Sequence, residues 1–426
     1  MTTLASVVSC LSDYDPNALP VAQAQAIMRD FVQPVSGFAC VPIRSALDRV
    51  LAEDVLSSID VPSHDNSAMD GFAFASAELA RGEGDVTLRV VGTAYAGVAF
   101  DGAPGAGEAV RVMTGAVMPA GCDTVIPQEF TQGDTTTVRF ARDAVRAGDN
   151  RRLRGEDLAK GSAALAAGRI LRPADIGLLA SLGIAEVPVR RRLRVAFFST
   201  GDELRSIGEP LDAGCVYDSN RYTLHGMLSR LGVELIDMGV VRDDPAALEA
   251  AFRTAAENAD AIITSGGVSV GEADFTKQTM AKLGDVTFWK IAMRPGRPMA
   301  FGRITSNGRS AFLFGLPGNP VAVMVTFYHF VRGALLRMMG AAEAGAPLVP
   351  AVSAAPIRKR PGRTEYQRAI ATLNSQGQLE VRLTGQQGSG VLRSMSEANC
   401  FVVLAHEQGQ VNAGDAVQVI LFDGLI

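Results

Sequence analysis

Residues Ala259 to Asp274 read Ala-Asp-Ala-Ile-Ile-Thr-Ser-Gly-Gly-Val-Ser-Val-Gly-Glu-Ala-Asp. Ala261-Ile262-Ile263 is a short apolar run of the kind that forms a buried central strand. It ends at Thr264-Ser265-Gly266-Gly267, where small side chains leave backbone N–H groups open. Ser269, Gly271 and Asp274 then lead into a helical pattern from Phe275. A strand that stops in a glycine turn before a helix is where α/β folds hold anionic ligands.

The flanking sequence repeats this strand-helix rhythm. Val195-Ala-Phe-Phe-Ser reads as a strand ending in Thr200-Gly-Asp-Glu-Leu, Asn220 to Leu231 as a helix closed by Gly232, and Val233 to Met238 as a strand ending near Arg242-Asp243-Asp244-Pro245. Pro245 to Asn258 reads as a helix, and strands follow at Val286–Ile291, Met299–Ile304 and Ala311–Leu316. Helices of this length between strands imply a doubly wound, mainly parallel sheet. Asp202, Glu203, Asp243, Ser269, Asp274, Arg294, Arg297 and Asn319 then gather at its carboxyl edge. Carboxylates and arginines there suit a metal ion together with a phosphate-like anion.

Outside this region the pattern changes. Pro20 to Val32 reads as an amphipathic helix with Val21, Ala24, Ile27, Met28 and Phe31 on one face, and Ser45 to Ala52 suggests another helix. Pro62 to Ala73 reads as a polar loop, Val86 to Phe140 as short strands of a small β domain, and Pro173 to Leu182 as a helix. From Val349 short strands with glycine turns suggest a small β-barrel, reached through a linker at 341–346. The fold expected is multidomain α/β: an α/β domain over 186–342, small β domains over 53–145 and 347–426, and an elongated helical and linker region over 1–52 and 146–185.

The 426 residues are 47% hydrophobic and 20% charged with a net charge of −5, which fits a globular chain and argues against general nucleic-acid binding. Five scattered cysteines without a C-x-x-C pair point away from disulfides and structural zinc and towards the cytoplasm. The N-terminus lacks the pattern of a signal peptide. Val321 to Met339 is apolar but carries His329, Arg332 and Arg337, which favours a buried core helix over a membrane span.

Gly267-Val-Ser-Val-Gly271 matches the serine-hydrolase elbow, but its strand ends too early, and the later histidines are His329, inside an apolar segment, and His406. No Walker sequence or dinucleotide fingerprint follows a strand. Asp243 and Asp274 each precede a helix, where helix capping competes with ligand binding as the explanation. Arg294-Pro-Gly-Arg-Pro298 and Leu316-Pro-Gly-Asn-Pro320 are stiff, sharply turned loops of the kind that fix backbone near a ligand.

Asp65-Asn-Ser-Ala-Met-Asp-Gly-Phe-Ala, Arg111-Val-Met-Thr-Gly, Arg154-Gly-Glu-Asp, Ser199-Thr-Gly-Asp-Glu-Leu, the 264–277 stretch and Gly315-Leu-Pro-Gly-Asn-Pro, in that order, resemble the MoeA and gephyrin E-domain family of molybdopterin molybdenumtransferases. The resemblance implies a homodimer whose cleft joins the α/β domain of one subunit to the β domain of the other. It implies magnesium-dependent insertion of molybdate into adenylyl-molybdopterin, with release of AMP. Glu203, Asp243 and Asp274 would surround the metal and the nucleotide phosphate, and Asp65, Thr114 and Asp157 would complete the catalytic set. Ser269, Arg297, Pro298, Arg368 and Ser389 would bind molybdate, with Lys290 and Arg294 also in the substrate-binding set and Pro317 and Pro320 shaping the pocket. Contact with other proteins of the molybdenum-cofactor pathway is implied as well, and neither nucleic acid nor membrane is. The chain departs from the family in having Arg294 and Arg297 where its loop carries lysines, so guanidinium forks replace point charges. A scaffold that keeps this fold without the chemistry, and the related molybdopterin adenylyltransferase, are the alternative readings.

Overall fold

A computed structural model of the chain describes residues 3–8, 14–267, 274–342 and 345–423. The first substantial helix, α1 (Val21–Phe31), buries Ala24, Ile27, Met28 and Phe31. They pack against the α/β sheet, with Phe31 edge-on to Phe301 at 5.5 Å and to Phe312 at 5.7 Å. Burying a phenylalanine stabilises by roughly 1.5–3 kcal/mol, so this helix is bound to the sheet and is no loose arm. The helix expected at Ser45 to Ala52 does not form. Asp48 adopts a φ of 60°, which breaks a right-handed helix, and Val50 and Leu51 instead bridge to Ile170 and Val189.

The small sheet is built from β1 (Gly71–Phe74), β2 (Val86–Ala94), β3 (Glu108–Val112), β4 (Thr124–Pro127), β5 (Gln132–Gly133) and β6 (Thr137–Phe140), in the order β4-β1-β3-β2-β6-β5. Part of the expected 62–73 loop is therefore strand, since Asn66–Ser67 also pairs with Arg151–Arg152. Helix α2 (Pro173–Ser181) contributes Leu179 to a separate core with Leu51, Leu171, Val187 and Val189.

The large sheet takes β7 (Arg194–Thr200), β8 (Glu234–Val241), β9 (Ala261–Ser265), β10 (Gly284–Lys290), β12 (Pro298–Ser306) and β13 (Arg309–Leu316) in the order β8-β7-β9-β13-β12-β10. The strand β11 (Met293–Arg294) lies apart from it. The first four strands are mutually parallel; β12 runs antiparallel to β13, and β10 antiparallel to β12. The carboxyl end of β10 therefore lies on the same edge as those of the four parallel strands. Helices α3 (Ser219–Arg230), α4 (Pro245–Asn258) and α5 (Asp274–Leu283) supply the crossovers. From central β7 the chain passes to β8 on one side, and from β9 it moves away on the other. The crevice between the ends of β7 and β9 is thus the topological switch point.

After β13 comes the apolar helix: α6 (Pro320–Thr326), a π-helical turn over Phe327–Val331, and α7 (Arg332–Met338). Pro320–Met338 is long and apolar enough to cross a membrane, yet 72% of its most apolar window is buried inside the protein. The C-terminal strands are β14 (Val349–Ser353), β15 (Thr364–Leu373), β16 (Leu379–Leu383), β17 (Cys400–Leu404) and β18 (Ala416–Leu421). They follow one another as β15-β16-β14-β18-β17, and pairing of β17 with β15 closes the barrel.

Inside the π-turn, His329 stacks on Tyr366 of the barrel at 3.6 Å, and its Nε2 is buried without a hydrogen-bond partner. Burial pushes its pKa down to about 3. In the unfolded chain the same imidazole titrates near 6.5. Its depressed folded pKa means that stability is intact above pH 6.5 and falls below it, because only the unfolded chain then takes up the proton. The expected slope is about 1.4 kcal/mol per pH unit from this group. Urea unfolding of the parent and of His329→Phe at pH 7.5 and 5.5 should show that the substitution removes about 1 kcal/mol of the parent's loss at the lower pH.

Candidate active site

At the carboxyl edge of the large sheet lies a cleft of about 650 Å³. Its floor is the end of β7 (Thr200, Gly201), the end of β9 (Ser265, Gly266, Gly267) and the start of α3 (Asn220). The glycines are dictated by close packing. A Cβ on Gly266 would stand 2.5 Å from the Thr200 carbonyl oxygen, and the residue has a φ of 94°. One wall carries Glu203 and Asp243. The opposite wall carries Arg294, Arg297 and Pro298 from the loop after β10, Pro317, Gly318 and Asn319 after β13, and Arg363, Gln387, Gly388 and Ser389 from the barrel.

Helix capping falls on Asp244 and not on Asp243. The Asp244 carboxylate accepts a hydrogen bond from the Ala247 N–H at 2.8 Å, while Asp243 lines the cleft. Glu203 packs against Gly201, where a Cβ would lie 2.5 Å from its Oε2. Thr200 Oγ1 is buried beside it without a partner. This donor set is all oxygen, which suits a hard divalent cation. Among the described residues no cluster of three His, Cys, Asp or Glu could hold a metal unaided. Two carboxylates completed by water and a ligand's phosphate are the usual arrangement for magnesium. Ser269 lies outside the described residues, and of Asp274 only the backbone, as the first residue of α5, is described.

The basic wall is assembled by strand pairing. β11 adds in parallel to the edge of β15, with Arg294 opposite Glu365. Arg363 Nε donates to Glu365 Oε1 at 2.9 Å, and Gln367 donates to the other oxygen at 3.0 Å. A buried carboxylate thus orients the cleft arginine without occupying its whole guanidinium. Arg368 is buried, points to the other face of β15, and does not line the cleft. Its Nε donates to Ser394 Oγ at 3.0 Å and its Nη2 to the Gly388 carbonyl at 3.0 Å, so it holds the 386–389 loop from behind. Burial, and then the neighbouring Arg294 charge, push its pKa down to about 10. It still carries its proton at neutral pH, so two like charges stand close together, an arrangement that an anion between them would relieve. Ser389 reaches the rim, with its carbonyl accepting from Val321 N at 3.0 Å.

Lys290 ends β10 beside Pro298 without lining the cleft, and Pro320 begins α6 next to it. Asp65, Thr114 and Asp157 are elsewhere: Thr114 follows β3 of the small sheet, and Asp65 and Asp157 lie in loops outside that sheet. Asp65 Oδ1 accepts from Arg154 N at 2.8 Å, Thr114 donates its N–H and hydroxyl to Asp70 Oδ1 at 2.7 and 2.8 Å, and Asp157 N donates to the Val61 carbonyl. The two Thr114 bonds hold the Asp70 carboxyl below the usual range. None of these three lines the cleft within one chain. The sequence reading missed Arg363, Gln387 and Asn220. A signal for Arg363 existed: Arg363, Glu365 and Gln367 alternate along a strand and must share one face.

Family models match in three blocks: the MoeA N-terminal region (domain I and II) over 19–183, a probable molybdopterin binding domain over 196–337, and the MoeA C-terminal region (domain IV) over 350–422. A molybdopterin molybdenumtransferase of Haemophilus influenzae is 44% identical, over 90% of this chain and 94% of its own length. One from a Nostoc species is 36% identical, over 89% and 88%. The crystal structure of the molybdopterin biosynthesis moeA protein from Pyrococcus horikoshii superposes with a TM-score of 0.81 at 28% identity, covering 95% of this chain and all of that one.

Arg368→Met keeps the length of the side chain and removes its donors. It should cost about 2–4 kcal/mol in urea unfolding, by leaving buried acceptors of the 386–389 loop unpaired. Arg363→Met removes the ion-pair partner of the buried Glu365 carboxylate, so it too should lower the unfolding midpoint.

Proposed function

Because the chain belongs to the molybdopterin molybdenumtransferase family, we propose that it inserts molybdate into the dithiolene of adenylyl-molybdopterin with magnesium, releasing AMP. The observation that carries this reading is a cleft in which arginines from two folding units share the lining with two carboxylates. Both substrates are anions. Two molybdenum–sulfur bonds form as one molybdate oxygen leaves as water with the two thiol protons, and water cleaves the phosphoanhydride to AMP and the pterin phosphate. Such chemistry depends on fixed positive charge where negative charge accumulates.

The roles divide by wall. Arg294, Arg297 and Arg363 neutralise and orient the oxyanion, and Ser389 donates to it from the rim. Arg368 fixes the loop that presents Ser389. Pro298, Pro317 and Pro320 keep these loops in one conformation, so little reorganisation is needed as charge develops. Glu203 and Asp243, with Asp274, would hold magnesium. The ion when bound would offset the charge of the phosphates. Ser269, Lys290, the β-domain residues Asp65 and Thr114, and Asp157 of the basic loop after that domain complete the set. The last three would serve the cleft of a second copy in a homodimer, which agrees with their distance from the cleft of their own chain. A cytoplasmic location belongs to this reading.

Purified protein given adenylyl-molybdopterin, molybdate and magnesium should release AMP only when molybdate is present. Chelation should stop the release and added magnesium should restore it. Asp243→Asn and Asp274→Asn should each lower turnover by about 100-fold, with melting temperatures near that of the parent. AMP release independent of molybdate would overturn the proposal, and consumption of ATP would point to an adenylyltransferase instead.

A further inference from the structure

Beneath the cleft, the first turn of α3 ties three strand ends together. Asp218 caps the helix by accepting from Arg221 N at 3.1 Å, and the same oxygen accepts the Ser199 hydroxyl at 2.9 Å. Ser199 is the next-to-last residue of β7. Two residues further on, Asn220 Nδ2 donates to Ser265 Oγ at 2.7 Å and to the Gly318 carbonyl at 2.7 Å. Ser265 ends β9, and Gly318 lies in the loop that follows β13. Asp218, Asn220, Ser199 and Ser265 are all buried.

The orientation of the amide is settled by chemistry. A backbone carbonyl can only accept, so the atom facing Gly318 must be the NH₂ group. No aliphatic, hydroxyl or carboxylate side chain offers two such donors at that place. The two groups it grips belong to the loops that line the cleft, Ser265–Gly267 and Pro317–Asn319. Ser265 is still in the ladder, opposite Ser199 and Leu316, and the Gly266 N–H bonds the Leu316 carbonyl at 3.1 Å. Among the described residues the backbone beyond these points has left the sheet.

We infer that Asn220 is a positioning residue for the transfer reaction, acting as a clasp that holds the loops after β9 and β13 at one fixed separation across the switch point. The inference rests on the proposed function and adds a residue to it. A clasp of this kind sets the distance between the glycine turn and the Pro-Gly-Asn-Pro loop before substrate arrives. Its loss falls on turnover more than on substrate binding, because reacting groups held about 1 Å out of place react far more slowly while most contacts survive.

Kinetics of Asn220→Ala, Asn220→Asp, Ser265→Ala and the Asn220→Ala/Ser265→Ala double variant test this, measured well below their melting temperatures. The expected result for Asn220→Ala is a kcat lowered by about 10–100-fold, with KM for adenylyl-molybdopterin within about threefold of the parent. Asn220→Asp, which keeps the shape and loses the donors, should fail to restore kcat. Ser265→Ala should lose less, and the double variant should be no worse than Asn220→Ala, because the serine acts through the amide. Amide exchange should quicken at Gly266, Gly267 and Gly318 while the strands of the sheet stay protected. A lowered melting temperature with kcat unchanged would overturn the inference, as would full activity in Asn220→Asp or losses that multiply in the double variant. If the parent shows no molybdate-dependent turnover, the proposed function fails and exchange alone decides the clasp: protection at those glycines equal to the parent's in Asn220→Ala refutes it.

Discussion

Two residues of strand, Met293 and Arg294, join the α/β sheet to the barrel. They leave β10 and add in parallel to β15, with Met293 opposite Thr364 and Arg294 opposite Glu365. Because side chains alternate along a strand, this register decides which barrel residues face the cleft. Arg368 shares the outer face with Tyr366, while Glu365 and Gln367 alternate with them on the opposite face. The basic wall is thus the product of one short pairing between units far apart in the chain. Around it, the outer face of the barrel and the π-turn helix share a core with the sheet, in which Tyr366, Phe401 and Ile420 meet Tyr328, Phe330 and Trp289.

The sheet keeps its reacting edge apart from its stabilising face. Apolar side chains of β7, β9 and β13 fill the cores on both faces, while the edge holds glycines, hydroxyls and charges. Ion pairs at such an exposed edge add little stability, so the charges there are best explained by what they bind. The opposed walls also make chemical sense in an acidic chain. A net charge of −5 would repel an anionic substrate unless arginines were concentrated where it binds.

Much of this could be read from the residues. Pro245 to Asn258 forms a helix with the bounds its pattern suggests, because Pro245 opens it and Ala259 leaves helical geometry. Ala261–Ser265 is a fully buried strand, as an unbroken apolar run between turns implies. Other features depended on pairings that no local pattern encodes. Val50 and Leu51 look helical in sequence but are claimed by Ile170 and Val189, more than a hundred residues away. The division of labour between Arg363 in the cleft and Arg368 behind it follows from strand parity and barrel closure. A motif can place both arginines near a substrate, but it cannot say which one touches it. Likewise, Asp243 and Asp244 are equivalent as caps in sequence until the turn assigns the cap to Asp244 and leaves Asp243 on the cleft wall.

The central claim is that the oxyanion is held where β11 brings the sheet and the barrel together. A crystal structure of the protein soaked with molybdate and AMP tests it most directly. The account predicts anomalous molybdenum density in the cleft between Arg294, Arg363 and Ser389, with the AMP phosphate towards Glu203 and Asp243. Molybdenum bound elsewhere, with that cleft filled only by solvent, would contradict it.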